Sequence, residues 1–165
     1  MTSVAIVVVF LLVVGAVKAV VIVPRDSVYV IERMGRYRTT LPVGFSLILP
    51  IADRIASKHT LALQTRELSE VYETKDKRRA SLTSAYRFRV LDAQRASYGA
   101  ADYLASVLEI VRASQKRYIE GEAWDALREN TRSLENEILR NAEEPTEAFG
   151  VRVLEYEVRD LHLDE

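Results

Sequence analysis

From Val4 to Val17 the sequence carries no charge, and if Lys18 is admitted the apolar stretch continues to Val23. About 20 residues of helix extend roughly 30 Å, the thickness of a bilayer's hydrocarbon core. The pattern therefore predicts a membrane-spanning helix over residues 1–24, ended by Pro24, with Val4, Phe10, Leu11, Leu12 and Val23 in contact with lipid. Eleven large apolar residues at about 0.3–0.6 kcal/mol each favour insertion by about 3–6 kcal/mol. Lys18 opposes this with about 3 kcal/mol at mid-depth, and with less near one end, where its stem can snorkel. A cleaved signal peptide fits poorly, because MTS lacks the basic start and no small-residue cleavage site precedes Pro24. A buried core helix fits no better, since the valine run has no polar face.

Beyond Pro24 the periodicity shortens. DSVYVIER reads as a strand rich in Val, Tyr and Ile, and Gly35 supplies a turn. LPVGFSLILPI follows, broken by Pro42, Gly44 and Pro50 and too short to span a membrane. It either rests in the membrane interface through Phe45, Leu47 and Leu49 or turns those side chains into the core. Residues 54–73 read as one or two strands, and TKDKRR as a charged connection. In SLTSAYRFRV, Leu82, Tyr86, Phe88 and Val90 alternate with Thr83, Arg87 and Arg89, the period of a strand with one buried face; Ser84 breaks it.

From Asp102 to Glu120 the spacing lengthens to three and four. Leu104, Val107, Leu108, Val111 and Tyr118 form a helical stripe that stops at Gly121. A second helix carries Leu127, Leu134, Ile138 and Ala142, and Pro145 is expected to stop or kink it. In VRVLEYEVRDL, Leu154, Tyr156 and Val158 alternate with Glu155, Glu157 and Arg159, so a closing strand is expected. Strands, two helices and a strand without steady βα alternation define an α+β class.

Charge sharpens this picture. The formal net charge is −1, yet residues 25–99 hold 14 Lys/Arg against 8 Asp/Glu, and residues 100–165 hold 8 against 16. A basic half beside the apolar segment and an acidic half away from it suit a protein standing on an anionic membrane. Arg25, Arg33, Arg36 and Arg38 follow the apolar segment and no Lys or Arg precedes it. The positive-inside rule then puts the amino terminus outside the cell membrane and the domain on the cytoplasmic side, with Arg33, Arg36 and Arg38 against the headgroups.

Basic and aromatic residues in ERMGRYRTTLPVGF, with Lys75, Lys77, Arg78 and Arg79, could also bind phosphates of nucleic acid. The neighbouring span favours lipid, and no nucleic-acid partner is expected. Across the chain, the opposed charges raise a head-to-tail pairing in which Arg87 and Arg89 meet Glu155 and Glu157, within a subunit or between neighbours.

No chemistry of catalysis stands out. The chain has no cysteine, and its two histidines, His59 and His162, lie apart, without a second ligand at metal spacing. GxSxG, HExxH and glycine-rich phosphate loops are missing from the sequence. The carboxylates after Glu120 sit among polar residues as on a solvated face, and Trp124 reads as a packing residue. No enzyme activity, cofactor or metal is expected.

Four segments in order carry a resemblance. Glu32, Arg33, Gly35 and Arg36, then Thr40, Leu41, Gly44, Pro50, Asp53 and Arg54, form the first. Thr74, Lys75 and Asp76 form the second, and Tyr86, Arg87, Phe88, Arg89, Val90 and Asp92 the third. Gly150, Val151 and Val153, with the strand to Asp160, close the set. Over roughly residues 22–161 the chain resembles the SPFH or band-7 domain of the stomatin, prohibitin and flotillin group, in particular its stomatin-like prokaryotic members. Val43, Lys77 and Ala93 stand where that group usually has Pro, Asn and Pro.

The resemblance implies a transmembrane anchor at residues 1–24, a mixed α+β domain at 25–161, and at 162–165 the start of a helical region. It also implies a non-enzymatic scaffold that assembles into a homo-oligomeric ring or arc, organises a membrane microdomain and modulates membrane proteins such as membrane proteases. A monomeric or dimeric membrane-tethered binding module is the alternative.

Overall fold

The computed structural model describes Ile6 and residues 19–164. The expected span over residues 4–18, with Val4, Phe10, Leu11, Leu12 and Lys18, lies outside the described residues apart from Ile6. No helix among the described residues is long and apolar enough to cross a membrane. The end of the apolar run is not helical. Val20–Val23 is strand β1, paired antiparallel with β4 (Gly44–Leu47), so the expected helix does not reach Pro24. Four β-branched residues in a row favour extended backbone, and ladder hydrogen bonds to a partner more than twenty residues away decide the outcome.

The chain divides into two compact units, Met1–Leu61 and Ala62–Glu165. In the first, β2 (Ser27–Arg33) is central in a second sheet, between β3 (Arg36–Leu41) and β5 (Asp53–Thr60), all antiparallel. Its core is small: Val23, Ile31 and Leu41 are buried, with Val21, Tyr29, Ile48 and Ile55 packed against them.

The second unit is a three-stranded antiparallel sheet ordered β6 (Gln64–Glu73), β7 (Arg79–Val90), β8 (Val151–Leu163). Among the described residues it carries four helices: α1 (Ala93–Tyr98), α2 (Tyr103–Gly121), α3 (Trp124–Glu129) and α4 (Thr131–Glu147). The class is α+β, as the spacing predicts. The even positions of β7 from Ala80 to Val90 are all buried, and Val107, Val111, Ile119, Leu127, Leu134, Ile138 and Ala142 complete the core.

Ser84, which breaks the sequence pattern, faces that core and is satisfied there. Gln115 Nε2 donates to Ser84 Oγ at 2.8 Å and to the Tyr156 hydroxyl at 2.7 Å, while Gln115 Oε1 accepts from the Tyr72 hydroxyl at 2.6 Å. Burial pushes the Tyr156 hydroxyl up to about 12 and raises that of Tyr72 as well, so both remain protonated, Tyr72 donating to the amide and Tyr156 accepting from it. One amide on α2 thus ties all three strands to the helix layer.

Three further expectations need correction. Leu154 is exposed, while Val151, Val153 and Tyr156 are buried, because a bulge opposite Arg87/Phe88 resets the side-chain alternation. Pro145 does not stop α4, which runs two residues further; it falls in the last turn, and the Thr146 hydroxyl donates to the carbonyls of Ala142 and Glu143. His162 and Leu163 belong to β8, not to the start of a helical region.

Candidate functional site

The β1–β4 ribbon has two apolar faces and a core for only one. Along β1, Val21 and Val23 point inward, and Val23, expected against lipid, is 2% exposed among Ile31 and Leu41. The alternate residues point out. Val20 lies opposite Leu47 and Ile22 opposite Phe45, so these four share the outer face. Phe45 is 82% and Leu47 77% exposed, which rules out the core-filling role for them. Val43, Leu49 and Ile51 extend the exposed apolar surface along the chain. A contiguous apolar patch of this kind marks a contact surface in a folded protein.

A buried carboxylate fixes the loop that carries Leu49 and Ile51. The Asp53 side chain is fully shielded and accepts from Arg33 Nε at 2.7 Å, Arg33 Nη2 at 3.0 Å, Arg38 Nη1 and the backbone N–H of Leu49 at 2.9 Å. The Arg33 hydrogen bond, assisted by Leu49 N–H against the opposing effect of burial, holds the Asp53 carboxyl well below the usual carboxylate range. Backbone N–H groups of Ala52 and Asp53 both donate to Leu49 O, which closes the turn. Beside it Arg54 reaches the buried Glu32 with Nη2 at 2.9 Å.

Arg33 and Arg38, expected to face headgroups, are both held on Asp53, which offsets one of their two charges, whereas Arg36 stays exposed. Spacing alone gives no sign of this, because Asp53 is fifteen or more residues away. The β2–β3 hairpin turns at Met34 and Gly35, with φ of 51° and 79°, and Met34 is 87% exposed. Met34 N–H donates to Ala52 O at 3.4 Å, so this tip lies beside Ile51.

The charges expected to pair in the second unit do so in part. Arg87 Nη1 meets Glu155 at 2.6 Å across β7 and β8. Glu157 instead pairs with Arg159 on its own strand, because the bulges place Ala85 opposite it. Arg89 lies opposite Arg152, whose guanidinium is held by Glu147 at 2.6 Å.

The remaining chemistry is structural. Asp76 accepts from the Thr74 hydroxyl at 2.6 Å and from Trp124 N–H at 3.2 Å, joining the 74–78 turn to the start of α3. His59 is buried, and burial lowers its pKa. Among the described residues no group of His, Asp or Glu is arranged to hold a metal ion. A cleft of about 290 Å³ between β6 and α2 is floored by Tyr86, Phe88, Leu104 and Leu108, with Arg66, Glu67 and Asp102 at its rim. Helix α1 was not expected from the sequence, although Asp92, which caps it by accepting from Arg95 N–H, is the signal that could have found it.

Comparison with known proteins agrees with this architecture. Stomatin-like protein 2, mitochondrial, from Homo sapiens is 27% identical over 147 residues, 87% of this chain and 41% of the relative. Stomatin-like protein stl-1 from Caenorhabditis elegans is 26% identical over 144 residues, 86% of this chain and 44% of the relative. An uncharacterized protein from Mycobacterium bovis is 25% identical over 160 residues, 95% and 41% of the two chains. The chain thus spans about two fifths of the length of these relatives. The family model described as "SPFH domain / Band 7 family" matches residues 21–165, and the chain belongs to that family.

Proposed function

We propose that the protein is a non-enzymatic membrane scaffold whose first unit rests on the bilayer through the outer face of β1 and β4. The exposed row of Val20, Ile22, Phe45 and Leu47 carries the reading. Two features support lipid as the occupant. The uncharged run at residues 4–17 precedes the face in sequence with only Lys18 and Ala19 between, and Arg36 stands exposed in the same unit. Anchored by a span in the apolar run that precedes β1, with the amino terminus outside and the domain on the cytoplasmic side, the chain assembles into homo-oligomeric rings or arcs. Such assemblies corral membrane proteins, membrane proteases among them. Arg89, set against Arg152 on the sheet, is the group we assign to a carboxylate of a neighbouring subunit.

The absence of cysteine permits a direct test. A fluorophore on Leu47→Cys in the full chain, reconstituted in anionic vesicles, is expected to be shielded from iodide and quenched by nitroxide-bearing lipid. Equal iodide quenching with and without lipid would refute the contact. Sedimentation in mild detergent tests assembly: a species of one or two chains favours the tethered module instead.

A further inference from the structure

The turn between β2 and β3 holds a residue that its backbone does not favour. A two-residue hairpin with positive φ at both central positions selects Asn-Gly or Asp-Gly. Gly35 obeys the rule; Met34, at φ 51°, does not. A long apolar side chain there loses on conformation and, being 87% exposed, gains nothing from packing. A residue that breaks a local rule without a folding benefit is a candidate for contact or chemistry. The surroundings name the contact. Ile51 is fully exposed beside the tip and Leu49 half-exposed, while Arg33, Arg36 and Arg38 flank it.

We propose that Met34 is a peroxide-sensitive switch on the membrane contact, the thioether forming part of an apolar tip that enters the interface and its sulfoxide withdrawing that tip. The inference rests on the bilayer contact proposed above. Met34 is the only sulfur among the described residues. In the step, a sulfur lone pair attacks one oxygen of a hydroperoxide; the S–O bond forms as the O–O bond breaks. Sulfur loses two electrons, and the second peroxide oxygen leaves as water or alcohol after taking up the proton of the transferred oxygen. The product is polar, and methionine sulfoxide reductases reverse it.

The test uses the full chain in vesicles with a fluorophore on Ile51→Cys and nitroxide-bearing lipid. Hydrogen peroxide is the probe, and mass spectrometry confirms one added oxygen on Met34. Loss of a buried methionine's apolar transfer predicts a roughly tenfold fall in the ratio of inserted to withdrawn tip. Met34→Leu, which retains Met1 as an oxidation control, is expected to keep its lipid quenching after peroxide. Met34→Gln is expected to show the low value without peroxide. If quenching is present beforehand and Met34 oxidation leaves it unchanged, or if Met34→Leu responds like wild type, the switch is overturned and the bilayer contact stands. If no lipid quenching occurs at residue 51 in untreated protein, the switch is overturned, and the bilayer contact falls with it only when the Leu47→Cys fluorophore is unquenched as well.

Discussion

Replacing Gln115 with Leu tests whether the buried polar network holds the second unit together. Gln115 is 1% exposed, and its amide meets three hydroxyls, those of Tyr72, Ser84 and Tyr156, at 2.6–2.8 Å. Leucine nearly conserves the volume, so the cavity contribution is small and the cost lies in stranded hydroxyls. A buried polar group without a partner costs about 1–3 kcal/mol. Ser84 Oγ retains a weak acceptor in Leu68 O at 3.4 Å, which leaves the two tyrosines to dominate. The expected loss is about 2–4 kcal/mol, a large share of the ~5–15 kcal/mol that holds a domain folded.

Urea unfolding in detergent micelles, followed by the fluorescence of Trp124, the single tryptophan and itself buried in this unit, reads the loss directly. At a slope of about 2 kcal/mol per molar the midpoint falls by about 1–2 M. The decisive partner is Tyr72→Phe/Gln115→Leu/Tyr156→Phe, which removes the stranded groups along with the amide. It should recover most of the lost stability, because an apolar set of the same shape leaves only Ser84, which keeps its weak bond to Leu68 O. A triple variant no more stable than Gln115→Leu alone would show that packing, and not hydrogen-bond satisfaction, sets the cost.

Two other sites give sharp outcomes. A Cβ added at Gly150, where φ is 71°, would lie 2.4 Å from Asp92 O and 2.8 Å from Arg95 Cβ, so Gly150→Ala should cost more than about 2 kcal/mol and lower the melting temperature by roughly 5–10 °C; an unchanged melt would refute the close approach. His59 has a folded pKa depressed by burial, so the unfolded chain binds its proton at higher pH than the folded one. Its share of stability is therefore complete above about 6.5 and lost as pH falls toward the lower folded value. The imidazole proton shift should titrate below 6.5, and a midpoint at or above that value would contradict the burial argument.

What was legible in the sequence was whatever a single periodicity governs. The alternation of β7 and the stripes of α2 and α4 follow from one buried face each, and both came through, except that Leu127, expected on the second helix, lies on the separate α3, because Asn130 caps α4 and breaks the run. The family was legible too, from four motifs in order. Features decided by distant partners were not. Val20–Val23 is apolar whether it ends a span or pairs with β4, and only the ladder distinguishes the two. A bulge in β8 moves Leu154 outward without changing composition. At the candidate site, the sequence left Phe45, Leu47 and Leu49 open to the membrane interface or the core, and their exposure excludes the core.

The shielded carboxylate of Asp53 changes how the arginine-rich hairpin should be regarded. In one dimension Arg33, Arg36, Arg38 and Arg54 form a strongly basic strip, but Asp53 and Glu32 together offset two of those four charges, so only about half of the expected field remains. Ionic strength should therefore have a weaker grip on this region than four free arginines would give it, and the part of its hold that comes from hydrocarbon contact is not screened by added salt.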